Sequence, residues 1–215
     1  MTVAPIRIGV SRCLLGEAVR FDGEHRRDQF LSEIVGQYVE WVPVCPEVEA
    51  GLGTPREPMR LAGAKHHPTV LTVRTKQDKT RLLERFSERR TRTLQSETLS
   101  GFVFKARSPS CGTHGVPLTT TGGRTRGTTS GLFARTFMEK FPLVPVADED
   151  DLRDPVPRHS FFERAFSHRR CQNLCQDGIT TTAIVQFHTA HKYQLMAHSR
   201  PHYAALSRLV GQIQA

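Results

Sequence analysis

No apolar run in the 215-residue chain approaches the about twenty residues that a membrane-spanning helix needs, so no transmembrane segment is expected. The opening MTVAPIRIGVSRC has no charged stretch followed by an apolar one, so no secretory leader is expected and the chain reads as cytoplasmic. Internal repeats and low-complexity segments are missing too. Cysteines number five, an odd count in a chain long enough to build its own core, which argues against a disulfide framework. Acidic residues are the scarce charge: 21 Asp and Glu stand against 30 Lys and Arg, a net +9. The imbalance is concentrated in residues 157–215, with seven Lys and Arg, two Asp and Glu, and six of the ten histidines. A basic balance of this kind suits a polyanionic partner such as nucleic acid.

What is present is ordinary globular composition, 38% hydrophobic and 24% charged. Residues 5–11, 41–44, 68–75, 101–106 and 143–146 read as strands. Helices are expected over 26–39, 78–100 and 132–140, the second with Arg81, Arg85, Arg89 and Arg92 on a solvated face. Strand and helix alternate, which predicts an α/β fold: a Rossmann-like, mostly parallel sheet flanked by helices. From about Pro157 the pattern becomes all-helical, with Ser199 as an N-cap and Pro201 just inside the next helix. DEDDLRDPVP marks the boundary, giving domains at 1–154 and 155–215.

Cys13, Cys45 and Cys111 each follow a strand. In a parallel sheet all carboxyl ends share one edge, where ligands bind, so the three thiols are expected to meet. Thiolates select zinc, copper(I) or iron–sulfur clusters. No CxxC pair or ferredoxin spacing is present, although His25 or His114 could complete a zinc site. On spacing alone, scattered buried cysteines rank first, zinc second and a cluster third. Cys171 and Cys175, four apart on one helix face, read as core packing. GGRTRGTTSG, residues 122–131, sits ahead of a helix and offers a weak phosphate site. A flexible loop is the preferred reading there.

SRCLLG with RFDGEH after it, VPVCPEVEAGLGTPREPMRL, and KARSPSCG resemble the thiouracil desulfidase (TudS-like) family over roughly the first 150 residues. The tail segment FHTAHKYQLMAHSRPHYAALSRLV is similar to the start of the helical domain fused behind such desulfidases in tRNA 4-thiouridine desulfidases (RudS-like). The resemblance implies a [4Fe-4S] cluster bound by Cys13, Cys45 and Cys111, with one iron open as a Lewis acid, and non-redox removal of sulfur. It raises Glu47, two residues after Cys45, to candidate general acid/base. Ser108 is a candidate for hydrogen-bonding water or substrate, and Asp22 a weaker candidate that could instead shape a turn with Gly23. The expected substrate is 4-thiouridine in tRNA. The alternatives are free 2-thiouracil or a thiolated nucleoside or nucleotide, and beyond these a non-catalytic RNA-binding or sulfur-carrier protein. His188, His191, His198 and His202 are then polar helix positions near RNA, with Lys192, Arg200 and Arg208 on phosphate. The oligomeric state is left open.

Overall fold

The computed structural model describes residues 5–120, 122–176 and 178–213. The first four residues of the opening stretch and Ala215 lie outside them. Eight strands occur among the described residues: β1 (Ile6–Ser11), β2 (Val39–Val44), β3 (Met59–Gly63), β4 (Pro68–Thr72), β5 (Gly101–Phe104), β6 (Val116–Thr119), β7 (Thr125–Thr129) and β8 (Val146–Asp148). They form two sheets, ordered β2-β1-β5-β8 and β4-β3-β6-β7. The first is parallel throughout, as the strand–helix alternation predicts. In the second, β3 and β6 pair in parallel and the outer pairs are antiparallel.

The central strands are apolar because both faces are covered. Phe102 and Phe104 of β5 face one side, where they stack at 4.0 Å and meet Phe137 at 4.8 and 5.6 Å. Val103 faces the other side with Ile8, Val10, Leu14 and Phe161. Position 9 of β1 is glycine because a Cβ there would come within 2.1 Å of the Phe102 ring of β5.

One turn of helix, α1 (Pro46–Glu49), follows β2. The longer α2 (Thr80–Leu94) buries Leu83, Phe86, Ser87, Thr91 and Leu94, a 3.6-residue stripe, and leaves Arg81, Arg85, Arg89 and Arg92 exposed. It is shorter than its pattern predicts, passing into a 3₁₀ turn at Gln95–Glu97 and stopping at Thr98, whose φ is +50°. α3 (Leu132–Lys140) carries Phe133 and Phe137 into the same core.

Several expected elements are corrected. The helix over 26–39 is a π turn (Phe30–Ile34) and a 3₁₀ turn (Val35–Gln37). Val39 already belongs to β2, since it must pair with Ile6. The strand at 143–146 shifts to β8, since Leu143 is exposed and pairing with β5 begins at Val146 opposite Phe102. Residues 122–131 are not a loop: Thr125–Thr129 form β7, an edge strand against β6.

Past β8 the structure is helical: α4 (Pro155–Gln176), α5 (Thr181–Ala190), α6 (Lys192–His198) and α7 (Arg200–Gln212). The chain divides into two compact units, one ending at Phe166 and one beginning at Ser167. The first turns of α4 belong to the first unit, where Phe161 and Ala165 are buried and a Cβ on Gly101 would meet the Phe161 ring at 3.0 Å. In the second unit Ser199 caps α7 by accepting the His202 N–H at 3.3 Å, and Thr180 caps α5 by accepting from Ala183 at 3.1 Å. The helical run breaks at buried His191, which ends α5 and begins α6.

Candidate active site

Three neighbouring strands, β2, β1 and β5, send their carboxyl ends to one cavity of about 360 Å³. Cys13, Cys45, Glu47, Ser108 and Cys111 all line it, at the sheet edge where ligands bind. Each sits in a tied loop. Cys13 follows β1 in a 3₁₀ turn, and its carbonyl accepts the Arg26 N–H at 2.9 Å. Cys45 is the N-cap of α1; its N–H donates to Glu49 Oε1 at 2.7 Å, and its thiol reaches the Val19 carbonyl at 3.9 Å. Cys111 lies in the SPSCG loop after β5, its N–H on Ser108 Oγ at 3.1 Å. That loop is docked on the start of α3. The N–H groups of Leu132, Phe133 and Ala134 donate to Pro109 and Ser110 carbonyls, and Gly131 donates to Gly112. The helix N-terminus that could have received a phosphate is thus occupied by the chain itself.

The thiols are 7–8% exposed. Burial, with the negative charge of Cys45 adding to it, pushes Cys13 up to about 12. Burial followed by Cys45 and Glu47 pushes Cys111 well above the ordinary thiol value, and burial raises Cys45. Each of these shifts disfavours the thiolate form.

Glu47 is held at both oxygens. Oε2 accepts from Nε of Arg56 at 2.8 Å and from its Nη2, and Oε1 accepts the Ser110 hydroxyl at 2.9 Å. Ser108 lines the cavity but accepts from the backbone N–H groups of Ser110 and Cys111. Asp22 is not among the lining residues. It pairs with Arg20 at 3.1 Å, which holds its carboxyl below the usual range, and approaches Arg26 at 3.9 Å; both arginines line the cavity. Sequence reasoning missed Arg56 and Ser110.

The expected metal chemistry is corrected. Among the described residues, the group whose ligand atoms all lie within 4.8 Å of one another is His114, Asp148 and Asp151. The sulfurs of Cys13, Cys45 and Cys111 share a cavity wall without converging in that way, so a [4Fe-4S] cluster on these three cysteines, and with it the cysteine-based metal-binding role, is not borne out. His114, the possible zinc-completing ligand, lies instead 3.7 Å from Asp148 and 3.5 Å from Asp151. His25 Nδ1 accepts the Arg27 N–H. Cys171 and Cys175 are exposed rather than packed in a core. Of the tail groups, Lys192, Arg200 and Arg208 are exposed, while His188 contacts Ser207 and His202 contacts Ser199. No helix among the described residues is long and apolar enough to cross a membrane.

A parallel sheet with a thiol- and carboxylate-lined cavity at its carboxyl edge defines the class. The model of the 2-thiouracil desulfurase family matches residues 8–149, and the chain belongs to that family. Desulfidation of thiolated pyrimidines is therefore its general activity, and the matched residues end before α4 begins at Pro155. Among solved structures, the chain is similar to the [4Fe-4S]-dependent thiouracil desulfidase TudS, with 27% identity and a TM-score of 0.56 over 72% of this chain and 98% of that one. It is 28% identical over 108 residues to the uncharacterized protein YbbK of Bacillus subtilis (strain 168), which covers 48% of this chain and 71% of the relative.

Proposed function

We propose that the cavity hydrolyses the C–S bond of a small thiolated pyrimidine, a thiouracil or its nucleoside, releasing the oxo-pyrimidine and hydrogen sulfide. Water adds to the thione carbon and sulfide leaves, so the step needs no oxidant or reductant. Glu47 takes a proton from the attacking water and returns it to the departing sulfur. Ser108 orients water or the exocyclic oxygen of the pyrimidine. The three neutral thiols provide a polarisable wall and weak S–H donors for the thione sulfur. Asp22 acts at one remove, by holding Arg20 and Arg26 at the cavity.

The observation that carries this reading is the placing of a fixed carboxylate, Glu47, in the same cavity as three thiols, in a chain of the 2-thiouracil desulfurase family. The volume of about 360 Å³ suits a single base or nucleoside. A second reading, 4-thiouridine in tRNA, is supported by the exposed Lys192, Arg200 and Arg208 of the helical tail.

The test is turnover of 2-thiouracil, 4-thiouridine and thiolated tRNA side by side, by anaerobically purified protein, followed by released sulfide and loss of thione absorbance. We expect the free compounds to be turned over, and Glu47→Gln to lower kcat by about 10²-fold or more. Turnover of tRNA alone, with strong salt sensitivity, would favour the second reading. Sulfide from none of the three would overturn both.

A further inference from the structure

The two oxygens of Glu47 are held differently, and the difference has a chemical use. Arg56 places two N–H groups on one oxygen, Oε2. Its third nitrogen is anchored on the Val19 and Gly53 carbonyls at 3.0 and 2.8 Å, and its backbone N–H on the Phe21 carbonyl at 2.8 Å. The guanidinium is thus fixed before it meets the carboxylate. The pair is largely enclosed, with side chains 8% and 12% exposed. Among the described residues, Oε1 carries a single donor, the hydroxyl of fully buried Ser110. A carboxylate oxygen accepts about two hydrogen bonds, so Oε2 is filled and Oε1 keeps one lone pair.

We propose that Arg56 and Ser110 are positioning residues that make Oε1 the single working oxygen of Glu47. Arg56 seals Oε2 against protonation, so a proton taken from water resides on Oε1. Ser110 donates to Oε1 while the carboxylate is ionised. A hydroxyl can also accept, so Ser110 can turn to accept from the protonated form without moving a heavy atom. Proton uptake and return then pass through one atom whose orientation is set by two residues from different loops, one ahead of β3 and one after β5. Neither residue needs to touch the pyrimidine. The inference rests on the reading of Glu47 as the acid/base group and deepens it.

The experiment compares Arg56→Ala, Arg56→Lys, Ser110→Ala and Glu47→Gln, each checked for fold by circular dichroism, in steady-state turnover of 2-thiouracil. Arg56→Ala is expected to lose about 10²-fold in kcat, with KM within a few-fold of the parent, because orientation and not binding is lost. Methylguanidinium at millimolar concentration should restore part of kcat in Arg56→Ala and leave the parent unchanged. Arg56→Lys should remain impaired, since an ammonium cannot supply two parallel N–H groups to one oxygen. Ser110→Ala should lose about 10-fold in kcat at unchanged KM. A folded Arg56→Ala with parental kcat, or one that methylguanidinium does not restore, overturns the inference. If Arg56→Ala does not fold, Ser110→Ala decides, and parental kcat there overturns it. Parental activity in Glu47→Gln would instead remove the reading beneath it. An inactive Glu47→Gln beside fully active Arg56 and Ser110 variants would remove this inference alone.

Discussion

The five cysteines should separate into two kinetic classes toward an alkylating reagent. Cys171 and Cys175 are exposed and Cys13, Cys45 and Cys111 are buried. For Cys13 the shift can be carried to a rate. Its pKa rises from 9.0 to about 12, which lowers the thiolate fraction at pH 7.5 by about three decades. A more basic thiolate is a better nucleophile, with a Brønsted slope of about 0.4–0.5, which recovers nearly half of that on a logarithmic scale. Ionisation alone therefore slows Cys13 by roughly 30- to 60-fold relative to an ordinary thiol, and restricted access slows it further. Cys111 is shifted in the same direction, well above the ordinary thiol value. The pH dependence has a definite sign. A raised pKa keeps the thiol neutral, so Cys13 labelling should still climb about tenfold per pH unit above 9, where an ordinary thiol levels off.

Iodoacetamide labelling at pH 7.5, quantified at each cysteine by mass spectrometry, reads this directly, with urea-unfolded protein as the five-thiol reference. Cavity thiols that label as fast as the tail pair would refute the reasoning. A different result would refute the corrected metal assignment: fewer than five reactive thiols in unfolded protein, together with bound iron and acid-labile sulfide that disappear in Cys13→Ser. Those sulfurs would then be thiolate ligands and not neutral thiols.

Other perturbations test the framework around the cavity. Gly131→Ala would put a Cβ 2.6 Å from the Ser110 carbonyl carbon and 2.8 Å from Cys111 N, backbone against backbone, so a loss of about 1–3 kcal/mol in urea-unfolding stability is expected. Lys105→Met would leave Glu149, 5% exposed, without its cation, and should cost about 3–5 kcal/mol by the same measurement. Phe137→Ala empties the aromatic cluster beneath β5 and should cost about 3–5 kcal/mol. Ser199→Ala removes the cap of α7 and should weaken hydrogen-exchange protection of its first turn by about 1 kcal/mol, leaving cavity chemistry unchanged.

The elements that could be read from the sequence are those whose burial writes a pattern. GFVF is apolar at every position because β5 is covered on both faces, and the stripe Leu83, Phe86, Leu94 announces α2. The second sheet left such a mark only at β4, inside the strand expected over 68–75. β7 is TRGTT, exposed at four of five positions, and is a strand only because β6 lies beside it. The candidate site follows the same division. Three cysteines after three strands could be brought together by topology alone. Arg56 could not be found in that way: in TPREP it is one arginine among many, and its partner lies nine residues back across a turn. Ser108 and Ser110 are both serines of one SPSC loop, and which of them reaches Glu47 depends on how α3 holds that loop. His114, Asp148 and Asp151 had a faint signal. DEDD begins on the last residue of β8, and the register of Phe104 with Asp148 puts it beside the loop leaving β5.

That register also explains why the cavity has fixed walls. Asp148, at the end of β8, accepts the Thr113 N–H at 3.0 Å, two residues beyond Cys111. Glu149 binds Lys105 and the Ala106 N–H, where β5 opens into the same loop. The start of α3 holds the loop from its other side. The segment carrying Ser108, Ser110 and Cys111 is therefore clamped at its entry and exit by the buried carboxylates of Glu149 and Asp148, and in its middle by backbone hydrogen bonds from the start of α3. On the facing turn, Glu49 accepts the Cys45 N–H and pairs with Arg90 of α2 at 3.3 Å, which ties Glu47's own helix to the core. A carboxylate and three neutral thiols are weak reagents in water. Held so that Glu47 Oε1 has one orientation, the carboxylate gains from avoided reorganisation what it lacks in strength. Changes that loosen the clamps should therefore lower kcat before they lower binding, even where they touch nothing in the cavity.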